Sequence, residues 1–211
     1  MPVESQLQLP VDIEGIKGFL DPREGRELYA RCLAAGVLGP TLEVGSYCGK
    51  STVYLGEACR RSGRSLYAVD HHRGSEEHQL GELYHDPEVF DSAAGLVDTF
   101  RLFRQTLRAA DLEQVVVPLV AATAVVARDW QTPLGMVFID GGHSFAAAQA
   151  DYDCWSVHIK AGGILAIHDI FPDPNEGGQA PYGIWLQALA SGLFEDLGIV
   201  HTLGILRRTD R

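Results

Sequence analysis

The stretch that decides the fold is LEVGSYCGKST, residues 42–52. A short apolar run leads there into a loop with glycines at positions 45 and 49, and a segment with helical spacing follows. Glycine lets a backbone approach a ligand closely, and the start of a helix offers N–H groups that have no partner within the helix. The pattern therefore predicts a strand, a glycine turn and a helix around a nucleotide-like ligand.

Four further apolar runs repeat this arrangement along the chain. The five runs cover residues 42–45, 66–70, 115–119, 136–140 and 164–169, and segments with helical spacing separate them at 51–61, 95–110 and 146–159. Alternation of this kind is typical of parallel βαβ units, and runs rich in Val, Ile and Leu are typical of strands that are buried on both faces. The sequence predicts an α/β fold with a Rossmann-like, doubly wound, mostly parallel sheet.

The remaining segments complete one predicted domain over residues 1–211. Residues 12–36 predict two helices that cap the ligand pocket, the second beginning after Asp21 with proline in its first turn. Residues 194–207 contain two strand-like pieces too close together for a crossover helix, which predicts an antiparallel hairpin at the sheet edge. Residues 71–94 are polar and poorly periodic, which indicates a lid-like insertion.

Composition excludes several classes of partner. The chain is 46% hydrophobic and 21% charged, as a globular protein is, and its formal net charge is -11. Such a charge repels nucleic acids and anionic membranes. No apolar run is long enough to span a bilayer, the first residues lack the pattern of a signal peptide, and the four cysteines form no Cys-x-x-Cys pair. We therefore expect a cytoplasmic protein with free thiols.

Two interpretations of the glycine loop meet difficulties of spacing. A dinucleotide-binding loop requires Gly-x-Gly-x-x-Gly, which Gly45 and Gly49 do not supply. A phosphate-binding P-loop requires Gly-x-x-x-x-Gly-Lys-Ser/Thr, and this loop is one residue short, which would turn some N–H groups away from an anion. An NTPase or phosphotransferase stays an alternative, and in that case replacing Lys50 would abolish ATP binding.

The third interpretation is the motif Glu-x-Gly-x-x-x-Gly at Glu43, Gly45 and Gly49, through which the sequence resembles the class I methyltransferases that use S-adenosylmethionine. The resemblance implies that Glu43 anchors the loop or the ligand's amino group. It also implies that the residues under the methionine part of the cofactor are Gly45, Ser46, Gly49 and Ser51. A carboxylate beside the loop suits a ligand with ammonium and sulfonium charges better than a pyrophosphate.

Further cofactor contacts are expected beyond the second and third strands. Asp70 ends the second apolar run, where an acidic residue accepts hydrogen bonds from both ribose hydroxyls in related folds. The alternative is an aspartate that only caps the next turn. The resemblance further implies that Ala122, with Ala121 and Thr123, lies near the adenine ring.

Polar residues end the last two predicted strands, in IDGGH at 139–143 and AIHD at 166–169. Ligands of open parallel sheets bind outside the carboxyl ends of the strands, so we expect these side chains to converge. Methyl transfer to oxygen needs a hydroxyl made more nucleophilic close to the sulfonium carbon. A divalent cation on carboxylates can lower the hydroxyl pKa, and a neutral histidine can take the proton.

The motif Asp-Gly-x-His, followed by GGILAIHD at 162–169, resembles the metal-dependent sugar and macrolide-sugar O-methyltransferases. The resemblance implies that Asp140 and Asp169 hold a divalent metal, Mg²⁺, that Asp140 also borders the cofactor, and that His143 is the general base. The family often has glutamate where this chain has His168. That difference leaves the third metal ligand open, because a nitrogen ligand suits magnesium less well than manganese or zinc, and His168 could instead contact the substrate.

The acceptor is expected to meet the polar segment HHRGSEEHQ, residues 71–79. As a lid it would bind a polyhydroxylated acceptor through His71, Glu76 and His78, whereas the alternative is a solvated loop. Most of the chain is also similar to the actinobacterial methyltransferases that act on mannosides in methylmannose polysaccharide biosynthesis. We expect a sugar hydroxyl of a mannoside or manno-oligosaccharide as acceptor, and a homodimer. Another small hydroxylated metabolite and a noncatalytic binding module are the alternatives.

Overall fold

A computed structural model describes residues 7–75, 79, 81 and 86–210 of the chain. The strands in these residues are β1 Thr41–Val44, β2 Leu66–Val69, β3 Phe90–Asp91, β4 Leu96–Val97, β5 Val116–Leu119, β6 Leu134–Ile139, β7 Ile159–Ile167, β8 Phe194–Val200 and β9 Leu203–Arg208. The α-helices are α1 Pro22–Ala35, α2 Lys50–Ser62, α3 Phe100–Ala109, α4 Thr123–Ala127, α5 Phe145–Trp155 and α6 Ala180–Ala190.

A seven-stranded sheet organises the molecule, in the order β5-β2-β1-β6-β7-β9-β8. The first five strands in this order pair with one another in parallel. The strand β9 runs antiparallel to both β7 and β8. This arrangement confirms the predicted Rossmann-like sheet with an antiparallel hairpin at its edge. The strand order reverses between β1 and β6, so their carboxyl ends form the crevice in which such folds bind ligands.

Helices cover both faces of the sheet and create two apolar cores. Leu28 of α1, Leu55 of α2 and Phe103 of α3 belong to the core on one face. Trp155 of α5 and Ile184 of α6 belong to the core on the other. Every residue of β6 is buried, because successive side chains of a strand point alternately into the two cores. This explains why the strand carries an unbroken apolar run.

Two predicted helices are shorter in the structure than the sequence indicated. The helix expected at 95–110 begins only at Phe100, because Leu96–Val97 pairs with Phe90–Asp91 as a small antiparallel hairpin. The turn of that hairpin is stabilised by Asp91 Oδ1, which accepts hydrogen bonds from the N–H groups of Ala93 and Ala94. The first helix expected in 12–36 is only the 3₁₀ turn Ile13–Gly15.

The second helix expected there is α1, which begins with a capping box. The Asp21 side chain accepts a hydrogen bond from the Arg23 N–H, and the Glu24 side chain accepts one from the Asp21 N–H. The cap fixes Glu24 in the first turn of α1, facing the sheet. Among the described residues, no helix combines the length and the apolar character needed to cross a bilayer.

Candidate active site

A cavity of about 1050 Å³ lies over the carboxyl ends of β1, β2, β6 and β7. Its wall includes residues 45–47 and 50–51 of the glycine loop, though not the predicted contact Gly49, and also Asp70, the segment 140–144 and Asp169. The segment 17–20, Phe171 and residues 176–178 form further parts of the wall. Small-molecule sites typically measure roughly 300–1,000 Å³. The cavity therefore has room for a nucleoside-sized ligand together with a second small molecule.

The backbone conformation and the packing of the chain itself require glycine at both positions of the loop. Gly45 has φ +84°, and a Cβ there would lie 2.0 Å from the carbonyl oxygen of Asp140, so β1 and β6 can meet only if this residue has no side chain. Gly49 has φ +95° and precedes the first residue of α2. The loop is thus shaped by the contact between two strand ends as well as by any ligand.

Glu43 lies fully buried beneath this loop and does not line the cavity. Its carboxylate accepts hydrogen bonds from Ser51 Oγ and Thr52 Oγ1, both at 2.6 Å. Burial raises the pKa of Glu43 to about 7, although the two hydroxyl groups act in the opposite direction. Of its two expected roles, anchoring the loop to the start of α2 is the one that the geometry provides.

Asp70 holds the loop from the other side. Its Oδ2 accepts hydrogen bonds from the N–H groups of Ser46 and Tyr47, both at 2.9 Å, and its Oδ1 accepts one from the His72 N–H at 2.7 Å. The loop N–H groups that would have to surround a phosphate are therefore occupied by a carboxylate of the same chain, which disfavours the P-loop interpretation. Asp70 still borders the cavity, and contact with a ribose stays a prediction.

The buried hydroxyl of Ser46 also lies at this wall. In the part of the chain that the structure describes, Ser46 Oγ makes no hydrogen bond of normal geometry, although its hydroxyl contributes to lowering the pKa of the neighbouring Glu43. A buried polar atom without a partner is unfavourable unless a ligand or water bonds to it. Ser46 is therefore a candidate contact for a polar group of the bound molecule.

The strand-end residues converge as expected. One possible ligand atom from each of Asp140, His143 and Asp169 lies within 4.8 Å of the other two. His143 Nε2 lies 3.0 Å from Asp169 Oδ2. Burial would raise the pKa of Asp169, but its bonds to His143 and His168 hold that pKa well below its usual range. The cluster combines oxygen and nitrogen donors at the cavity wall.

His168 lies among three carboxylates of the site. Its Nδ1 lies 3.2 Å from Asp140 Oδ1 and 3.4 Å from Asp169 Oδ2, and its Nε2 lies 3.0 Å from Glu24 Oε2. Burial opposes a charge on the ring, yet these carboxylates raise the pKa of His168 far above its usual value. When the ring is protonated, both of its nitrogens donate hydrogen bonds to these carboxylates, and a role of His168 as metal ligand stays a prediction. Among the described residues, His143 is the third member of the metal-capable cluster.

Glu24 is the site residue that the sequence did not reveal. Its side chain is 1% exposed. Oε1 accepts hydrogen bonds from Thr202 N–H, Thr202 Oγ1 and His201 Nδ1, and Oε2 lies against His168. Burial opposes ionisation, but His168 and Thr202 lower the pKa of Glu24 to about 2. Its position three residues after Asp21 fits the capping box of α1, a local role that requires no site.

The remaining expected residues are placed as follows. Ala122 and Thr123 line the cavity, as do His71 and Asp140. Glu76 and His78, the other expected acceptor contacts, lie outside the described residues. The predicted lid, residues 71–94, is therefore described only in part. The segment 17–20, from the region expected to cap the pocket, does reach the cavity wall.

Comparison with known families agrees with this geometry. A family model described as a methyltransferase domain matches residues 42–170, which include the glycine loop, Asp70, Asp140 and Asp169. The match covers more than half of the chain, and the chain belongs to this methyltransferase family.

Solved O-methyltransferases share the fold. NovP superposes with a TM-score of 0.68 at 14% identity, covering 89% of this chain and 80% of NovP. TomG from Streptomyces achromogenes, solved with S-adenosylmethionine, gives 0.60 at 14% identity, covering 90% and 82%. An O-methyltransferase from Bacillus cereus, solved with S-adenosylhomocysteine, gives 0.61 at 15% identity, covering 91% and 83%. At these identities the likeness establishes the common architecture.

Proposed function

We propose that this methyltransferase moves the methyl group of S-adenosylmethionine to a hydroxyl oxygen of a small acceptor. The observation that carries the proposal is that the cluster of Asp140, His143 and Asp169 borders the same cavity as the glycine loop. A cofactor resting on the loop and an acceptor at the cluster would be neighbours. The O-methyltransferases of the same fold, two of them solved with the cofactor or its product, support the choice.

The charges of the cavity favour a cationic cofactor. Five acidic residues line it against two lysines, and one of them, Asp70, occupies the N–H groups of Ser46 and Tyr47 in the loop. S-adenosylmethionine carries an ammonium and a sulfonium group, which negative side chains attract. A polyphosphate would meet these carboxylates, and two of the loop N–H groups that could bind it are already occupied by Asp70. The same features make ATP a poor ligand.

The cluster suits a divalent cation. The carboxylates of Asp140 and Asp169 are close enough to share one ion, and oxygen donors of this kind favour Mg²⁺, which completes its coordination with water or substrate oxygens. Asp140 and Asp169 would hold the metal. A metal bound there would polarise the acceptor hydroxyl and lower its pKa.

His143 is the proposed general base. Its side chain is 37% exposed and lies at the cavity wall beside Asp169. The neighbouring carboxylate orients the imidazole and stabilises the imidazolium formed when His143 takes the hydroxyl proton. As the oxygen–carbon bond forms, the carbon–sulfur bond breaks, and the sulfur keeps its electron pair in the S-adenosylhomocysteine that leaves.

The proposed acceptor is a sugar hydroxyl of a mannoside or manno-oligosaccharide. The sequence resemblance supports the sugar, and the cavity wall adds polar and aromatic side chains that could meet one, including Lys17, His71, Phe171 and Glu176. Sugars need many hydrogen bonds because each hydroxyl loses water on binding. Release of S-adenosylhomocysteine with mannosides, but not with unrelated alcohols, would support this acceptor class.

Replacing the base tests the mechanism directly. His143→Ala should lower kcat by roughly 100- to 10,000-fold, because a positioned base contributes about that much. Binding of S-adenosylhomocysteine, measured by calorimetry, should be unchanged. His158→Ala is the matched control, since His158 ends a 3₁₀ turn and does not line the cavity. Full turnover by His143→Ala would refute the base assignment.

Calorimetry on the wild-type protein tests the cofactor, and chelation tests the metal. S-adenosylhomocysteine should bind, whereas ATP and NAD should not. Treatment with EDTA should abolish methyl transfer, and Mg²⁺ should restore it. Undiminished activity after EDTA would refute the proposed role of a metal. Tight binding of ATP without binding of S-adenosylhomocysteine would refute S-adenosylmethionine as the methyl donor.

A further inference from the structure

Asp151 is a buried acidic residue that none of the roles above uses. It lies on α5, is 5% exposed and borders the cavity. Its carboxylate sits beside the backbone that follows β6: a Cβ on Gly141 would lie 2.4 Å from Asp151 Oδ2. The absence of a side chain at Gly141 therefore leaves the space that this carboxylate occupies.

Thr123 lies between Asp151 and the buried Trp155. The indole N–H of the fully buried Trp155 donates to Thr123 Oγ1 at 2.6 Å. The acceptor role towards Trp155 leaves the Thr123 hydroxyl proton for Asp151, whose pKa the Thr123 hydroxyl lowers. A carboxylate accepts about four hydrogen bonds. Asp151 thus keeps acceptor capacity for a donor in the cavity.

The position of Asp151 along the cavity indicates which part of a nucleoside it meets. The strand ends follow one another across the crevice as β6, β1, β2 and β5. Asp140 follows β6, the glycine loop follows β1, Asp70 follows β2, and Thr123 lies just beyond β5. A cofactor with its methionine part at the loop and its ribose at Asp70 would place its base by Thr123 and Asp151.

We propose that Asp151 determines specificity for the adenine base by accepting a hydrogen bond from its 6-amino group. The inference rests on the proposed use of S-adenosylmethionine. Burial raises the pKa of Asp151 to about 6, so the residue keeps a carboxylate at neutral pH, though one poorly solvated and in need of a donor. The amino group of adenine is such a donor. Hypoxanthine carries an oxo group at the same position, and an oxygen facing a carboxylate is repelled.

Paired ligands that differ at this one group test the proposal. Binding of S-adenosylhomocysteine and S-inosylhomocysteine is measured by calorimetry at pH 7.5. The wild-type protein should prefer the adenosyl compound by roughly 10- to 100-fold, the usual worth of a hydrogen bond to a charged group. In Asp151→Asn the preference should fall severalfold or more, because the amide can turn either its oxygen or its NH₂ group to the ligand.

Asp153→Asn is the matched control. Asp153 is exposed on the same helix, where it accepts a hydrogen bond from Gln149, and this variant should keep the wild-type preference. Asp151→Ala should also lose the preference, and it gives the answer if the asparagine variant does not fold. The preference is the ratio of the affinities of one protein for the two compounds. A substitution that weakens the binding of both compounds equally therefore leaves this ratio unchanged.

An unchanged adenosyl preference in a folded Asp151 variant would overturn the proposal and leave Asp151 only a support for Thr123 and Trp155. A wild-type protein that binds both compounds equally would overturn it as well. Failure of the wild-type protein to bind S-adenosylhomocysteine at all would instead refute the proposed cofactor, so the two failures are distinguishable.

Discussion

Charged residues at the strand ends have partners within the chain itself. His168 joins Asp140 and Asp169 to Glu24, and Asp70 binds the N–H groups of the glycine loop. Such contacts hold side chains in one orientation, which a site for in-line transfer requires. Glu43 is the exception, because its environment offers hydroxyl groups and no cation.

Glu43 should make stability depend on pH in a defined direction. Its pKa is about 7 in the folded protein and 4.5 ordinarily, so between these values the folded state holds a proton that the unfolded chain has lost. The contribution is fully present below pH 4.5 and is lost as pH rises to about 7. Its loss amounts to about 3 kcal/mol.

The variant Glu43→Gln should lack this part of the pH dependence, because the amide cannot ionise. Urea unfolding of both proteins at intervals from pH 4.5 to 7.5 measures it. The free energy of unfolding of the variant should improve relative to the wild type as pH rises, since groups such as Glu24 and Asp169 contribute equally to both. Parallel curves would contradict the assigned pKa.

At the scale of elements, the ends of β1 and β6 lie so close together that position 45 has no room for a side chain. Gly45 lies against the Asp140 carbonyl, and the Asp140 N–H donates to the carbonyl of Val44. The junction aligns the glycine loop with the acidic cluster, since Asp140 is part of both the junction and the cluster. A change at Gly45 should therefore disturb the fold and the site together.

Gly45→Ala should destabilise the protein by roughly 3 kcal/mol or more, because positive φ strain adds to the steric clash with Asp140. Gly63→Ala is the matched control: Gly63 has φ +67°, but a Cβ there meets nothing within 4 Å. Its expected loss is about 1 to 2 kcal/mol. Thermal and urea unfolding measure both. Equal losses would show that the contact with Asp140 relaxes without strain.

At the scale of the whole molecule, the edge hairpin belongs to both cores. β9 lies inside the sheet between β7 and β8. Its residue Ile205 is buried in the core formed with α1 and α2, and Leu206 is buried in the core formed with α5 and α6. The two faces should therefore unfold together, as the prediction of one domain over residues 1–211 requires.

Ile205→Ala and Leu206→Ala should each lower the free energy of unfolding by about 2 to 5 kcal/mol, the usual loss for a buried aliphatic side chain. Each variant should keep a single transition that circular dichroism and tryptophan fluorescence report at the same denaturant concentration. Val157→Ala, at an exposed site, should change stability little. Two separate transitions would indicate that the faces fold independently and would contradict a single domain.

Local patterns in the sequence predicted most of the backbone. Buried parallel strands leave unbroken apolar runs, and all five predicted runs are strands of the sheet. The glycine loop and the strand-end aspartates followed from the same reasoning, because parallel strands bring their carboxyl ends to one edge. The helix α6 was missed because its apolar residues surround the axis, which leaves no amphipathic period. The hairpin of β3 and β4 was missed because its strands contain two residues each.

The amino-acid sequence by itself determined the order of strands and helices, the position of the loop and the residues that could carry the chemistry, since each depends on near neighbours in the chain. Only the tertiary structure decided how those residues are paired. His168 and Glu24 are 144 positions apart, and their contact follows from how α1 crosses the sheet. Asp151 reaches the cavity only because Gly141 leaves room for it. Contacts of this kind depend on the packing of distant elements, which no local pattern records.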